Sequence, residues 1–230
     1  MRKILPIVMV LIITTFAFAG DAAAFVDMGF SKDGSIYVFG QHGKIDKSFQ
    51  SYAEIFTVDV KKNDFIKSGL FTKKDTTNKA SVTVFEELKE KHKSYLDKLS
   101  LSTVKADSLL YLRQEDAISS EDKIVFQDFV NSTTENPLFY HVKLVPLYEG
   151  KGTNTRSSFY IVIEKKSQDG TLITRNVVGN PDIKRKGVTN YTINRIFTSP
   201  QGNGLVFVVE KTVEDTTGTS IRYMVETTAL

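Results

Sequence analysis

Polar and apolar positions alternate along most of the chain, the pattern of strands whose two faces differ. The segment 52–60, YAEIFTVDV, shows it most clearly, since its alternate residues fall on opposite faces. One face carries Ile55, Thr57 and Asp59, and the other carries Phe56, Val58 and Val60. Further strands are predicted where β-branched and aromatic residues recur between turn signals, at 24–30, 35–40, 123–130, 138–148, 157–166, 170–179, 188–197, 204–211 and 220–227.

The period changes between residues 79 and 99. Apolar and aromatic positions there recur at intervals of three and four, which predicts a helix with one buried stripe formed by Phe85, Leu88, His92, Tyr95 and Leu99. A histidine on such a stripe is more often packed than a ligand. The segment 106–116, ADSLLYLRQED, is a candidate for a second, short helix.

The pattern predicts a mainly β fold of antiparallel sheets with one amphipathic helix, and an α+β fold is the alternative. The 230 residues, 41% of them hydrophobic, are enough for a core of their own. We expect a single exported, β-rich domain over residues 20–230.

Residues 1–19 have the organisation of a cleaved export signal. Arg2 and Lys3 precede an apolar run from Ile4 to Phe16, and Ala17-Phe18-Ala19 offers the small residues that a signal peptidase requires. Cleavage after Ala24 is a second option. The run is shorter than the roughly 20 residues of a membrane-spanning helix, so we predict a protein of the periplasm or the extracellular space with no integral membrane segment after cleavage.

Charge and cysteine content exclude several classes of protein. The chain has 30 basic and 27 acidic residues, and Arg2 and Lys3 would leave with the signal. The mature protein is therefore close to neutral, and nothing indicates a nucleic-acid partner. Cysteine is absent, which excludes disulfides, thiolate metal sites and a lipid-modified cysteine.

A similar phrase occurs near both ends of the chain, FSKDG at 30–34 and FTSPQG at 197–202, each followed by an apolar strand. Both resemble the blade of a Tol-B-like β-propeller, FSPDGxxIxF…EIYVVD. A propeller needs at least four blades, and only these two copies are convincing. We expect hairpins of similar build at both ends, and we hypothesise that they share one sheet in which one covers the edge of the other.

The segment 20–67 also resembles the opening of the bacterial predicted secreted proteins called domain of unknown function 2259. That opening is Gly-Asp, a Gly-[Phe/Tyr]-Ser-x-Asp-Gly turn, an aromatic strand, Gly-x-x-Asp, and [Tyr/Ala]-x-Ile-[Tyr/Phe]-x-Val-Asp. It is matched by Gly20, Asp21, Gly29, Phe30, Ser31, Asp33, Gly34, Gly43, Asp46, Tyr52, Ile55, Phe56, Val58 and Asp59. The segment 199–230 resembles the family's ending.

The chain departs from this family pattern at two places. Gly40-Gln41 stands where an acidic residue is usual, and Pro200-Gln201-Gly202 stands where Asp-Gly is typical. The resemblance implies export and no assigned activity, so it carries no site residues over to this chain.

Catalytic motifs are not evident in the sequence. Two Ser-x-x-Lys matches, at 102–105 and 120–123, lack companion motifs. We predict no catalytic residue, no metal and no cofactor, and we take Asp33, His42 and Asp46 as candidate binding residues because they lie in turns near the start of the mature chain. The alternative for each is a plain turn.

These observations favour a non-catalytic binding or interaction module of the bacterial cell envelope, which meets an envelope protein or a small ligand at a sheet edge or loop. One alternative is an extracytoplasmic hydrolase whose site residues are dispersed in sequence. Another is a structural envelope component that self-associates. The oligomeric state is left open.

Overall fold

The computed structural model describes residues 21–45, 47–104, 108–114, 123–216 and 218–230. Strands dominate these residues and two helices accompany them, so the predicted mainly β class is confirmed. The predicted signal at 1–19 lies outside the described residues.

The first part of the chain forms a short strand and a five-stranded antiparallel sheet, the N-terminal sheet. The short strand is β1 (Asp21–Ala22). The sheet follows in the order β2-β3-β4-β5, with β6 also paired to β4. Its strands are β2 (Ala24–Phe30), β3 (Ile36–Lys44), β4 (Ser51–Asp59), β5 (Asp64–Phe65) and β6 (Phe71–Asp75).

Two helices cover one face of the N-terminal sheet. The single predicted helix at 79–99 is present but divided at His92 into α1 (Ser81–Lys91) and α2 (Lys93–Leu99). Helix α1 buries Val84, Phe85 and Leu88 against the sheet. The ring of His92 stacks on Phe71, with centroids 3.7 Å apart, so this histidine is packed, as the pattern indicated.

The predicted short helix at 106–116 is wrong in its described part, because residues 109–112 form a strand, β7 (Leu109–Leu112). Its partner is a later strand, with Arg195 opposite Leu112 and Ile196 opposite Tyr111. A four-residue apolar run fits a buried strand as well as a helix, and sheet pairing decides between them.

The next strands form the outer sheet, in the order β11-β10-β9-β8, with β12 also paired to β10. The predicted hairpin turn at 167–170 is confirmed, and Gly170 adopts φ 88° there. The strands are β8 (Ile124–Gln127), β9 (Leu138–Glu149), β10 (Arg156–Ser167), β11 (Leu172–Val178) and β12 (Arg185–Lys186).

The last three strands, β13 (Val188–Thr198), β14 (Gly204–Asp215) and β15 (Gly218–Ala229), form the middle sheet with β7 and β1. Its order is β1-β15-β14-β13-β7. One face of β14 presents Phe207 and Val209 to the outer sheet. The opposite face presents Val206 and Val208 to the N-terminal sheet. The layers are therefore outer sheet, middle sheet, N-terminal sheet and helices.

The two similar phrases do form turns of the same build. The Ser31 N–H donates to the Ile36 carbonyl at 2.9 Å, and the Ser199 N–H donates to the Gly204 carbonyl at the same distance. Positive φ values of 69° at Gly34 and 68° at Gly202 explain the glycine in each turn.

The hypothesis that the two hairpins share one sheet is wrong, because strands β2 and β3 lie in the N-terminal sheet and β14 and β15 in the middle sheet. The two sheets pack face to face, and the Gln201 amide joins the turns by donating to the Lys32 carbonyl at 2.9 Å. Stacked layers also exclude a propeller for the described chain. Edge covering occurs through β1, which pairs in parallel with the start of β15.

Candidate functional site

A cleft of about 890 Å³ lies along the outer edge of β15, where the middle sheet ends before its two neighbours do. Strands β3 and β4 and the segment 62–65 form one wall, and residues from the segment 179–185 form the other. Residues 222–226 of β15, together with Lys211 of β14, line the cleft between these walls.

The cleft exists because β1 covers only the beginning of β15. The Ala23 N–H donates to the Ile221 carbonyl at 3.0 Å, and the chain then turns away into β2. Beyond that point, two side chains accept hydrogen bonds from the β15 backbone in place of a neighbouring strand. Gln41 Oε1 accepts from the Tyr223 N–H at 2.8 Å, and Asn63 Oδ1 accepts from the Thr227 N–H at 2.6 Å.

Four cationic side chains line the cleft, those of Lys62, Arg185, Lys211 and Arg222. Lys62 is paired with the Asp59 carboxylate at 2.9 Å. The Arg222 guanidinium is bonded to the Asp21 carboxylate and lies 4.4 Å from the centre of the Tyr52 ring. The Arg185 guanidinium lies 5.2 Å from the centre of the Phe159 ring and 3.8 Å from the Glu226 carboxylate.

Lys211 stands opposite Arg222 in the ladder between β14 and β15. Within the described part of the chain, its ammonium group has no hydrogen bond or ion pair. Burial, together with repulsion from Arg185 and Arg222, lowers the pKa of Lys211 to about 8, and Glu54 opposes this shift. Because desolvation and neighbouring cations destabilise the charged form of Lys211, an anion bound beside it would stabilise that form.

Two carboxylates of the cleft are bound by neutral amides. Glu54 accepts from Gln41 Nε2 at 2.7 Å, and Glu226 accepts from Asn63 Nδ2 at 2.5 Å. Burial raises the pKa of Glu226, although Asn63 and Arg185 act in the other direction. Neither carboxylate is bonded to Lys211. A ligand carboxylate or phosphate would therefore be stabilised most by an ion pair with Lys211.

The wall formed by the N-terminal sheet is aromatic. The rings of Phe39 and Phe56 stack with centroids 4.8 Å apart, and Phe65 lies 5.6 Å beyond Phe56. Phe65 is 37% exposed, and Ile183 on the opposite wall is 54% exposed. The cleft can therefore cover an apolar group as well as a charged one.

The residues proposed from sequence lie elsewhere. The Asp33 carboxylate accepts from the hydroxyl groups of Ser31 and Ser35 at 2.6 and 2.8 Å, and these bonds lower its pKa to about 2. His42, at the other end of β3, lies with Nδ1 3.0 Å from the Ser81 hydroxyl, and burial lowers its pKa. Asp46 lies outside the described residues. The structure does not bring Asp33 and His42 together, and their proposed binding role stays a prediction.

Lys211 and Arg222 line the cleft but are not among the residues predicted from sequence. A signal for Lys211 is present, since it continues the same face of β14 as Phe207 and Val209, which are buried. A charged residue in an apolar stripe indicates either a partner or a ligand. Arg222 carries no comparable signal, because its partner Asp21 lies at the other end of the chain.

The cleft lining contains no histidine or serine among the described residues. The described residues also contain no cluster of three or more side chains suited to hold a metal ion. Neither described helix has the length and apolar character needed to cross a bilayer.

A protein-family model described as "Predicted secreted protein (DUF2259)" matches residues 38–229. No curated protein and no solved structure matches the chain.

Proposed function

The chain belongs to the DUF2259 family of predicted secreted proteins, and on that premise we propose that it is a non-catalytic binding module of the bacterial envelope. Its ligand is an organic anion, held in the cleft along β15. The family description also supports export of the chain.

The observation that carries this proposal is the ammonium group of Lys211, which lies beside Arg185 and Arg222 and forms no hydrogen bond or ion pair with any residue that the structure describes. Lys211 is half-buried, and a charge withdrawn from water is costly unless a partner compensates it. A carboxylate or phosphate would supply that partner, and the aromatic wall at Phe56 and Phe65 would cover an adjoining apolar group. Glu54 and Glu226 accept hydrogen bonds from the amides of Gln41 and Asn63, and neither carboxylate is bonded to Lys211, so its ammonium group is available to a ligand.

Small anions matched with neutral analogues test the proposal. The probes are phenylacetate, phenyl phosphate and N-acetylglutamate, each compared with its neutral amide or ester by ligand-observed NMR. We expect each anion to bind about tenfold more tightly than its neutral partner. This preference should weaken above pH 8, where Lys211 loses its proton.

The matched protein variants are Lys211→Met and Lys143→Met. Lys143 is exposed on β9 of the outer sheet, so its replacement should leave the preference intact. Lys211→Met should remove it, and Lys211→Arg should retain most of it. Equal binding of anions and neutral analogues to the wild type, or a preference that survives in Lys211→Met, contradicts the proposal.

A further inference from the structure

The outer edge of β15 carries backbone groups that no described residue uses. The N–H groups of Tyr223 and Thr227 point into the cleft, where Gln41 and Asn63 cap them. Backbone groups of a strand alternate in direction with a period of two. Val225, midway between the two capped residues, therefore presents its N–H and its carbonyl to the same cleft.

Val225 is placed for pairing with a ligand backbone. Its side chain belongs to the core between the middle and N-terminal sheets and is 4% exposed. Its backbone forms no hydrogen bond outside the sheet to any described residue. An unpaired donor and acceptor on a strand edge form a template for another extended chain.

The N-terminal segment of the protein shows what this edge accepts. Strand β1 pairs in parallel with β15, with Asp21 opposite Ser220 and Ala22 opposite Ile221. The Asp21 carboxylate is bonded to Arg222 at the same time. An extended segment with an acidic side chain thus occupies the edge directly before the cleft. Lys211, the neighbour of Arg222 in the ladder, has no such acidic partner among the residues described.

We infer that the cleft binds an extended peptide segment that carries an acidic residue. The peptide backbone adds to β15 at Val225, and the carboxylate pairs with Lys211. Alternate side chains of the segment would face Phe56 and Phe65 on one wall and Ile183 on the other. This inference rests on the proposed function and narrows its ligand from organic anions in general to peptides.

The test uses the mature chain and end-blocked, fluorescein-labelled heptapeptides of alternating valine and threonine, in which a single glutamate is moved through the seven positions. Binding is measured by fluorescence anisotropy. We expect some positions of glutamate to bind at least about tenfold more tightly than the same peptides with glutamine. The α-amide of N-acetylglutamate, which keeps its side-chain carboxylate, serves as the small anion that cannot pair as a strand.

Backbone methylation of the best peptide separates strand pairing from charge recognition. Two versions are made, with N-methyl groups on the odd or the even residues. Since only alternate amides of a paired strand face its neighbour, one version should bind about tenfold more weakly and the other should be little affected.

Hydrogen exchange of the Val225 amide, followed by NMR, gives an independent measurement. The peptide should slow this exchange, whereas the α-amide of N-acetylglutamate should not. The amides of Tyr223 and Thr227 are already hydrogen-bonded and serve as internal references.

The outcomes distinguish the inference from the proposal beneath it. Binding that is sensitive to the register of methylation, with protection of Val225, supports a peptide ligand. If both methylated versions bind equally and Val225 exchange is unchanged while anions still bind, the peptide inference is overturned and the anion site stands. If neither peptides nor anions bind in a manner that depends on Lys211, both are overturned.

Discussion

Lys211 and Gln41 show how single residues build the cleft. Gln41 is almost fully buried and uses its whole amide, because Oε1 accepts from the Tyr223 backbone while Nε2 donates to Glu54. An acidic residue at this position could not donate to Glu54. The neighbouring Gly40 allows Phe85 to approach, since a Cβ there would lie 2.3 Å from the Phe85 ring. The departure Gly40-Gln41 from the family pattern therefore has a structural role here.

The charge of Lys211 should make stability depend on pH between 8 and 10.5. Its folded pKa of about 8 is below the ordinary value of 10.5. In that window the unfolded chain binds more protons, so the contribution of Lys211 to stability rises with pH. Below pH 8, Lys211 is charged in the folded and in the unfolded chain, and the whole cost of holding this charge in the folded protein lowers the free energy of unfolding. We expect Lys211→Met to be more stable than the wild type at pH 7 by about 2 kcal/mol, and this gain should shrink by pH 10.5.

Urea denaturation of both proteins at pH 7, 9 and 10.5 measures this difference. Lys143→Met is the control, because Lys143 is exposed and should change stability little. A stability difference between Lys211→Met and the wild type that is constant with pH would show that the ammonium group is not destabilised by folding.

At the scale of elements, the cleft depends on layers that end at different places. Strand β1 stops after two residues, so β15 has an open edge between the outer and N-terminal sheets. The N-terminal sheet is itself held from behind by α1. Val38 and Ile55 on the far face of β3 and β4 pack against Val84, Phe85 and Leu88. The aromatic wall of the cleft lies on the other face of these same strands.

The substitution Leu88→Ala should therefore loosen the wall by opening a cavity behind it. Leu88 is 1% exposed, and such a deletion typically lowers the free energy of unfolding by about 2–5 kcal/mol. Chemical denaturation gives this value. Val82→Ala, on the same helix at 52% exposure, is the control and should change stability by less than about 0.5 kcal/mol. Equal effects of the two substitutions would argue against the packing of α1 on the sheet.

In the molecule as a whole, the first described strand, β1, is joined to the last strand, β15. Asp21 is 7% exposed, is bonded to Arg222 and is paired within the middle sheet. Cleavage of the predicted signal after Ala19 retains this connection, whereas cleavage after Ala24 removes β1 and its Asp21–Arg222 bond.

We therefore expect the exported protein to begin at Gly20. Intact-mass measurement of the protein recovered from the periplasm or culture medium of the expressing cells decides between the two sites. A form with the signal blocked by replacing Ala17 and Ala19 with bulky residues provides the uncleaved reference mass. A mature form that begins at Phe25 would contradict the expectation.

The elements that could be predicted from sequence depend on local chemistry. Alternation in 54–60 places Phe56, Val58 and Val60 on one face, and the structure has them there, packed toward the middle sheet. The turns at Gly34 and Gly202 depend on a positive φ that glycine tolerates, so each was visible in a few residues. The strand at 109–112 is predicted as a helix from sequence because four apolar residues are too few to distinguish the helical period from the strand period.

The mainly β class, most strands and hairpin turns, the amphipathic helix and the resemblance to exported proteins follow from the sequence, since periodicity, turn residues and a terminal apolar run are local properties. The stacking of the two similar hairpins in separate sheets, and the open edge that β1 leaves along most of β15, follow only from the three-dimensional fold. The fold also places Lys211 beside Arg185 and Arg222, with no ion-pair partner in the described part of the chain. These features depend on contacts between residues far apart in the chain, and local patterns carry no information about which sheet covers which.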